Sequence, residues 1–119
     1  MLDDTIVAIA TPLGEGGLAV VRLSGPDALK IAERSFQPMG KSSERLTEAS
    51  THTIHYGGVV HRNKVVDEVL VAVMRAPRTF TREDVVEITC HGGVLPAKMV
   101  LDCLLENGAR LAEAVLRLI

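Results

Sequence analysis

The chain has 119 residues, 47% of them hydrophobic, which allows one domain with a real core but not two independent cores. It contains two Phe, one Tyr and no Trp, so it lacks the aromatic residues on which nucleic-acid-binding sheets stack bases. The formal net charge of −2 also argues against tight, direct binding of RNA or DNA by this segment alone.

Targeting and redox signals predict a reduced protein of the cytoplasm with no membrane contact. Asp3 and Asp4 open the chain, where a secretory signal would carry basic residues. No apolar run reaches the roughly 18 residues that cross a bilayer. The two cysteines, Cys90 and Cys103, are too few for a disulfide scaffold.

Two strands joined by a glycine-rich turn are predicted at the start, over residues 5–11 (TIVAIAT) and 18–23 (LAVVRL). The turn, residues 12–17 (PLGEGG), invites comparison with a phosphate loop. A phosphate loop runs into a helix N-terminus, whereas here a strand follows and no Gly-Lys-Ser/Thr is present. The pattern therefore predicts a tight turn, and no nucleoside triphosphate site on this chain.

A helix is predicted next, over residues 26–36. Pro26 stands at the first helical position, which favours proline, and Ser24 or Gly25 is the candidate cap. Residues 37–50 are polar and have no apolar periodicity, which predicts a surface loop.

Three further strands are predicted over residues 51–62, 65–74 and 84–91. The first two are expected to form a hairpin around Asn63 and Lys64, because Asn tolerates a positive φ.

The last predicted helix covers residues 94–106 and ends at Asn107-Gly108, where glycine supplies the left-handed conformation. A short strand should follow over residues 109–111. The order β-β-α-β-β-β-α predicts an α+β fold, in which helices pack on a mixed sheet.

Residues 112–119 (AEAVLRLI) look like the start of another helix, with no turn or cap before it. The chain would then end on an uncovered apolar face. We therefore expect one domain over residues 1–111 and, over residues 112–119, the start of a helical domain after an omitted segment.

The strand over residues 84–91 carries the most informative pattern. Because strand side chains alternate between two faces, Glu87 shares a face with Val85, Thr89 and His91, while Cys90 points the other way. This polar face is either the solvent side of a half-buried sheet or one wall of a polar ligand pocket. The alternation by itself favours the solvent side.

Arg22 is the second candidate. It shares a strand face with Leu18 and Val20 and has no charged neighbour in sequence. Either its stem packs and its head reaches solvent, or its planar group meets an acidic ligand or a carboxylate of the pocket.

Metal and nucleophile sites are not expected. His52 and His55 lie three residues apart on a predicted strand and so face opposite sides, and the adjacent Cys90 and His91 diverge in the same way. These pairs cannot share a metal or form a Cys-His nucleophile. The residues predict a binding domain without a catalytic residue or metal of its own.

The chain contains the segments DTIVAIATPLGEGGLAVVRLSGPDAL, HTIHYGGVV, DEVLVAVMRAPRTFTREDVVEITCHGG and ENGARLAE. Together they closely resemble the N-terminal domain of the bacterial tRNA modification GTPase family MnmE, also called TrmE. The likeness covers residues 3–113. It implies a tetrahydrofolate-binding fold similar to that of the glycine-cleavage T-protein group. It also implies that the domain homodimerises and holds 5-formyl- or 5,10-methylene-tetrahydrofolate. Two folate-contacting positions of the family fall on Arg22 and Glu87.

The resemblance also implies a larger parent protein. It would add a helical domain and a GTP-binding domain that hydrolyses GTP with potassium and magnesium. With a flavin-dependent partner it would form a 5-carboxymethylaminomethyl-type modification at the wobble uridine of tRNA. The family's Pro-Gly-Glu-Phe segment and a third, basic folate contact are absent after GARLAE. A dimerisation-only module and a fragment of a stand-alone folate-dependent aminomethyltransferase stay open as alternatives.

Overall fold

The computed structural model describes residues 4–11, 17–40 and 44–112. Their secondary structure comprises the strands β1 (Ile6–Ile9), β2 (Leu18–Ser24), β3 (Phe36–Pro38), β4 (Thr53–His61), β5 (Lys64–Met74), β6 (Val85–His91) and β7 (Arg110–Leu111), the helices α1 (Ala28–Ser35) and α2 (Val94–Glu106), and a 3-10 turn (Leu46–Glu48). The strands form one sheet in the order β3-β4-β5-β6-β2-β1-β7. All neighbours are antiparallel except β1 and β7. The predicted α+β fold with a mixed sheet is confirmed.

Both helices cover the same face of the sheet. On that face Val21, Ile88 and Val71 lie in register across β2, β6 and β5, and each is at most 1% exposed. Val100 and Leu104 of α2 are fully buried in the same core. Each such side chain contributes about 1.5 to 3 kcal/mol when it leaves water, so this face holds the fold together.

Cys90 belongs to this buried face, as the alternation predicts. Its side chain is in the core, and burial, with a smaller contribution from Asp67, raises the pKa of its thiol to about 11. The thiol therefore stays protonated at neutral pH and is a poor nucleophile.

The first helix begins later than predicted. It starts at Ala28 with Asp27 at the cap position, so neither Ser24 nor Gly25 is the cap. The reason is a close approach of two segments. The backbone N–H of Asp27 donates to Thr5 Oγ1 at 2.8 Å, and a Cβ on Gly25 would lie 2.6 Å from Thr5 Cα.

The hairpin turn between β4 and β5 lies one residue earlier than predicted. His61 pairs with Lys64, so the turn residues are Arg62 and Asn63, with φ of 53° and 67°. Two successive positive φ values are typical of a type I′ turn. A register shift between Val59 and Val60 moves the pairing, and alternation along one strand cannot reveal it.

The loop prediction over residues 37–50 is wrong in part, because β3 (Phe36–Pro38) adds an edge strand and Leu46–Glu48 forms a 3-10 turn. The prediction for α2 is confirmed at both ends, with φ of 119° at Gly108 just beyond it. The short strand predicted over residues 109–111 is confirmed as β7, which pairs with β1.

Residues 12–16 of the glycine-rich turn predicted over 12–17, and residues 113–119 of the helix predicted over 112–119, lie outside the described residues. Among the helices that are described, none has the length and apolar character of a membrane span.

Candidate ligand pocket

The face of the sheet opposite the helices carries the two predicted binding residues. Register places Ala8, Arg22, Glu87 and Ala72 side by side in one row across β1, β2, β6 and β5. An alanine stands on each side of the charged pair. Ala8, on the β1 side of the pair, lines the cavity that opens above it.

Arg22 and Glu87 form an ion pair in the middle of this row. Nε of Arg22 donates to Oε2 of Glu87 at 2.7 Å, and a terminal guanidinium nitrogen lies 2.5 Å from the same oxygen. The side chains are 50% and 29% exposed. Of the two interpretations of Arg22, the structure supports the one in which it meets a carboxylate of the pocket.

The ion pair engages only Oε2 of the Glu87 carboxylate. Oε1 of Glu87 makes no hydrogen bond with any other described residue. A half-exposed ion pair is worth only about 0 to 1 kcal/mol of stability. The pair therefore contributes little to folding, and it holds the carboxylate of Glu87 in place with Oε1 unbonded to the other described residues.

A cavity of about 800 Å³ opens above the pair, within the range of about 300 to 1,000 Å³ that small-molecule sites occupy. Its sheet side is mostly apolar, and its other side is the loop between β5 and β6. Besides Arg22 and Glu87, the lining residues on which the arguments below depend are Ile6, Ala8, Met74, Val85, Arg78 and Phe80.

The β5–β6 loop, residues 75–84, is anchored at both of its ends. The guanidinium of Arg75 donates to the carbonyl oxygens of Thr47 and Ala49 at 2.8 and 2.7 Å. At the other end, Oδ1 of Asp84 accepts from the N–H of Ala76 at 2.9 Å. These contacts fix the base of the loop beside the cavity.

Arg78 and Phe80 at the loop tip are pocket residues that sequence reasoning missed. A signal was available: the Pro-led polar loop runs directly into the strand that carries Glu87. Loops that enter a strand end beside a polar pair are common positions for binding residues.

The other polar residues singled out in the sequence do not join this pocket as a group. His91 is exposed on the rim of the sheet, where Nδ1 lies 2.6 Å from Oδ1 of Asp67. His52 does line the cavity, but it sits in a turn before β4, not on a strand as predicted. Within residues 4–11, 17–40 and 44–112, no three His, Cys, Asp or Glu side chains are grouped to hold a metal.

The fold and the pocket define an α+β domain in which the sheet face opposite the described helices presents a paired guanidinium and carboxylate to a small cavity. The family model of the GTP-binding protein TrmE N-terminus matches residues 5–114, and the chain belongs to this family.

Curated relatives agree with this assignment. The tRNA modification GTPase MnmE of Listeria welshimeri is 57% identical over 110 residues, which are 92% of this chain and 23% of the relative. Those of Bacillus subtilis and Geobacillus kaustophilus are 56% and 58% identical over 113 residues, with 92% of this chain and 24% of each relative covered. The chain thus spans about a quarter of the length of the relatives it matches.

Proposed function

We propose that this domain binds a reduced folate, 5-formyl- or 5,10-methylene-tetrahydrofolate, in the cavity between the open sheet face and the β5–β6 loop. The observation that carries the proposal is Oε1 of Glu87, which accepts no hydrogen bond from the described residues and lines a cavity of about 800 Å³. A pterin ring presents its 2-amino group and a ring N–H on one edge. A carboxylate accepts two such parallel hydrogen bonds.

Arg22 has to share its carboxylate with the ligand. The hydrogen bond from its Nε and the ionic contact of its terminal nitrogen both go to Oε2 of Glu87, and a two-point contact with the pterin edge needs Oε1 and Oε2 together. A guanidinium has five N–H donors in a fixed fork. Arg22 can therefore keep one bond to Glu87 and turn another donor toward the formyl oxygen.

Arg78 supplies a second cation in the same lining. Its guanidinium makes no ion pair with the described residues. It is therefore available for the glutamate carboxylates at the other end of folate, for which a planar fork is well suited.

We further propose that the domain works as a homodimer in the cytoplasm. Four exposed apolar side chains lie on the sheet face that the helices leave open, and each is between 47% and 70% exposed. They are Leu18, Ile54, Tyr56 and Leu70. An apolar surface of this kind is typical of a protein contact.

The names of the relatives point to a larger role. We propose that the parent protein hydrolyses GTP, with potassium and magnesium, and acts on tRNA with a flavin-dependent partner. The product would be a 5-carboxymethylaminomethyl-type group at the wobble uridine, for which the folate is the one-carbon carrier.

Calorimetry with 5-formyl-tetrahydrofolate tests the folate proposal on the 119-residue chain. Glu87→Ala should weaken binding by about 2 kcal/mol or more, because two charge-assisted hydrogen bonds are lost. Glu48→Ala is the matched control, since that carboxylate is exposed on the 3-10 turn, outside the cavity lining. No heat of binding for the unmodified chain would refute the proposal, and unchanged affinity of Glu87→Ala would refute the role of Glu87.

A dimerisation-only module is the second candidate, and the exposed apolar side chains favour it as well. A dimer by light scattering, together with no folate binding at millimolar concentration, would select this candidate. A transferase fragment has less support, because Glu87 is the only carboxylate among the described residues that line the cavity.

A further inference from the structure

The ring of Phe80 is placed where an apolar group gains nothing from the protein itself. It is 100% exposed, yet it lines the same cavity as Arg22 and Glu87. Phe36, by contrast, is buried in the core.

Hydrogen bonds fix the turn that carries Phe80. Thr79 Oγ1 donates to the carbonyl oxygen of Glu83 at 2.7 Å, and the N–H of Arg82 donates to that of Thr79 at 3.2 Å. Oε2 of Glu83 in turn accepts from Ser24 Oγ on β2 at 3.1 Å. Hydrogen bonds therefore close the turn around Phe80 and tie it to the sheet.

The sheet side of the cavity is mostly apolar. Ile6, Ala8, Met74 and Val85 line it beside the ion pair. The arrangement is a cleft with a sheet on one side and an aromatic ring on the other. A planar ligand ring fits such a cleft, because stacked rings gain contact area at low cost in conformational freedom.

We propose that Phe80 is a ligand-positioning residue, whose ring stacks on the planar ring that Glu87 holds by its edge. This inference rests on the proposed folate function. Glu87 would then select for hydrogen-bond donors on the ring edge, and Phe80 would select for a flat ring with an open face. The β5–β6 loop thereby supplies the half of the site that the sheet lacks.

Affinity measurements on four versions of the chain test the proposal, with 5-formyl-tetrahydrofolate as the probe. Loss of one stacking partner in Phe80→Ala should weaken binding about tenfold, or about 1.4 kcal/mol. Phe80→Tyr should bind like the unmodified chain, since it keeps a planar ring. Phe80→Leu should bind as weakly as Phe80→Ala, since it has no ring. Thermal unfolding should be the same for all four, because the native side chain is fully exposed.

A fluorescence readout reports the stacking directly. The chain has no Trp, so Phe80→Trp introduces a single fluorophore at the loop tip. Saturation with 5-formyl-tetrahydrofolate should shield this indole from acrylamide. Leu95→Trp is the control, because Leu95 is 66% exposed on α2 and is not among the cavity residues, so its shielding should not change.

The outcomes separate this inference from the function on which it rests. An unmodified chain that binds no folate overturns both. An unmodified chain that binds folate, with equal affinity in Phe80→Ala or Phe80→Leu, overturns the stacking role alone. A dimer that dissociates in Phe80→Ala while folate affinity is kept would place the ring in a protein contact and also overturn it.

Discussion

The two faces of the central sheet divide the work of this domain between them. The covered face carries a row of side chains that are each at most 1% exposed, Val21, Ile88 and Val71. On the open face, the adjacent row holds Arg22 and Glu87, which are only partly buried. One step along β6, from Ile88 to Glu87, leads from the core to the candidate site.

This division has an energetic consequence. The covered face contributes hydrophobic burial, which dominates stability, whereas a half-exposed ion pair contributes about 0 to 1 kcal/mol. Substitutions on the covered face should therefore lower the free energy of unfolding strongly. Substitutions on the open face should mainly change ligand affinity.

The largest expected effect tests the covered face at Ile88. Ile88→Ala should lower the free energy of unfolding by about 2 to 5 kcal/mol, because it leaves a cavity in a close-packed core. The neighbouring Glu87→Ala should lower it by no more than about 1 kcal/mol. Urea denaturation of both variants makes the comparison, and equal losses at the two positions would contradict the division between the faces.

A second, smaller effect concerns Cys90 on the same face and appears at alkaline pH. Burial raises the pKa of this thiol from 9.0 to about 11. In the unfolded chain the thiol ionises at its ordinary pKa, so between these two values the unfolded state holds fewer protons than the folded state. Stability should consequently fall as the pH rises through this window.

Denaturation across the same pH range measures this slope. The free energy of unfolding should fall by on the order of 2 kcal/mol when the pH reaches the folded-state pKa of Cys90. Cys90→Ala should remove the part of the pH dependence that is due to this thiol. Cys103, whose pKa burial also raises, stays in both chains and serves as the internal reference. A slope unaffected by Cys90→Ala would contradict the assignment.

Sequence periodicity was sufficient to predict which side chains lie on the covered face, because it follows directly from backbone geometry. The alternation over residues 84–91 predicted that Cys90 lies inside and Glu87 on the opposite face, and the bounds of α2 follow from its apolar spacing and its final Asn-Gly. Both features are local consequences of helix and strand geometry.

Contacts between distant segments could not be predicted in this way. The partner of Arg22 is 65 residues away, and the cap of α1 depends on Thr5, which is 22 residues from Asp27. The cavity needs the β5–β6 loop to be placed over the sheet, which no local pattern specifies. Strand alternation singled out Arg22 and Glu87, the family resemblance gave them an expected folate contact, and their pairing came from the fold.

The smallest effect sharpens the comparison on the open face, at Arg22. Arg22→Lys keeps the positive charge beside Glu87 but removes the planar fork, so the three donors of the ammonium radiate from one nitrogen and cannot make two parallel hydrogen bonds. We expect 5-formyl-tetrahydrofolate to bind about fivefold more weakly, or about 1 kcal/mol. Unfolding by urea should change by no more than about 0.5 kcal/mol, because the position is half exposed.

Arg62→Lys provides the matched control, since Arg62 also pairs with a carboxylate, that of Glu106, at the hairpin away from the cavity. It should leave folate affinity unchanged. If Arg22→Lys binds folate as tightly as the control does, a point charge suffices beside Glu87, and the shared use of the guanidinium fork by protein and ligand is wrong. If Arg22→Lys instead destabilises the fold as Ile88→Ala does, the open face also carries stability.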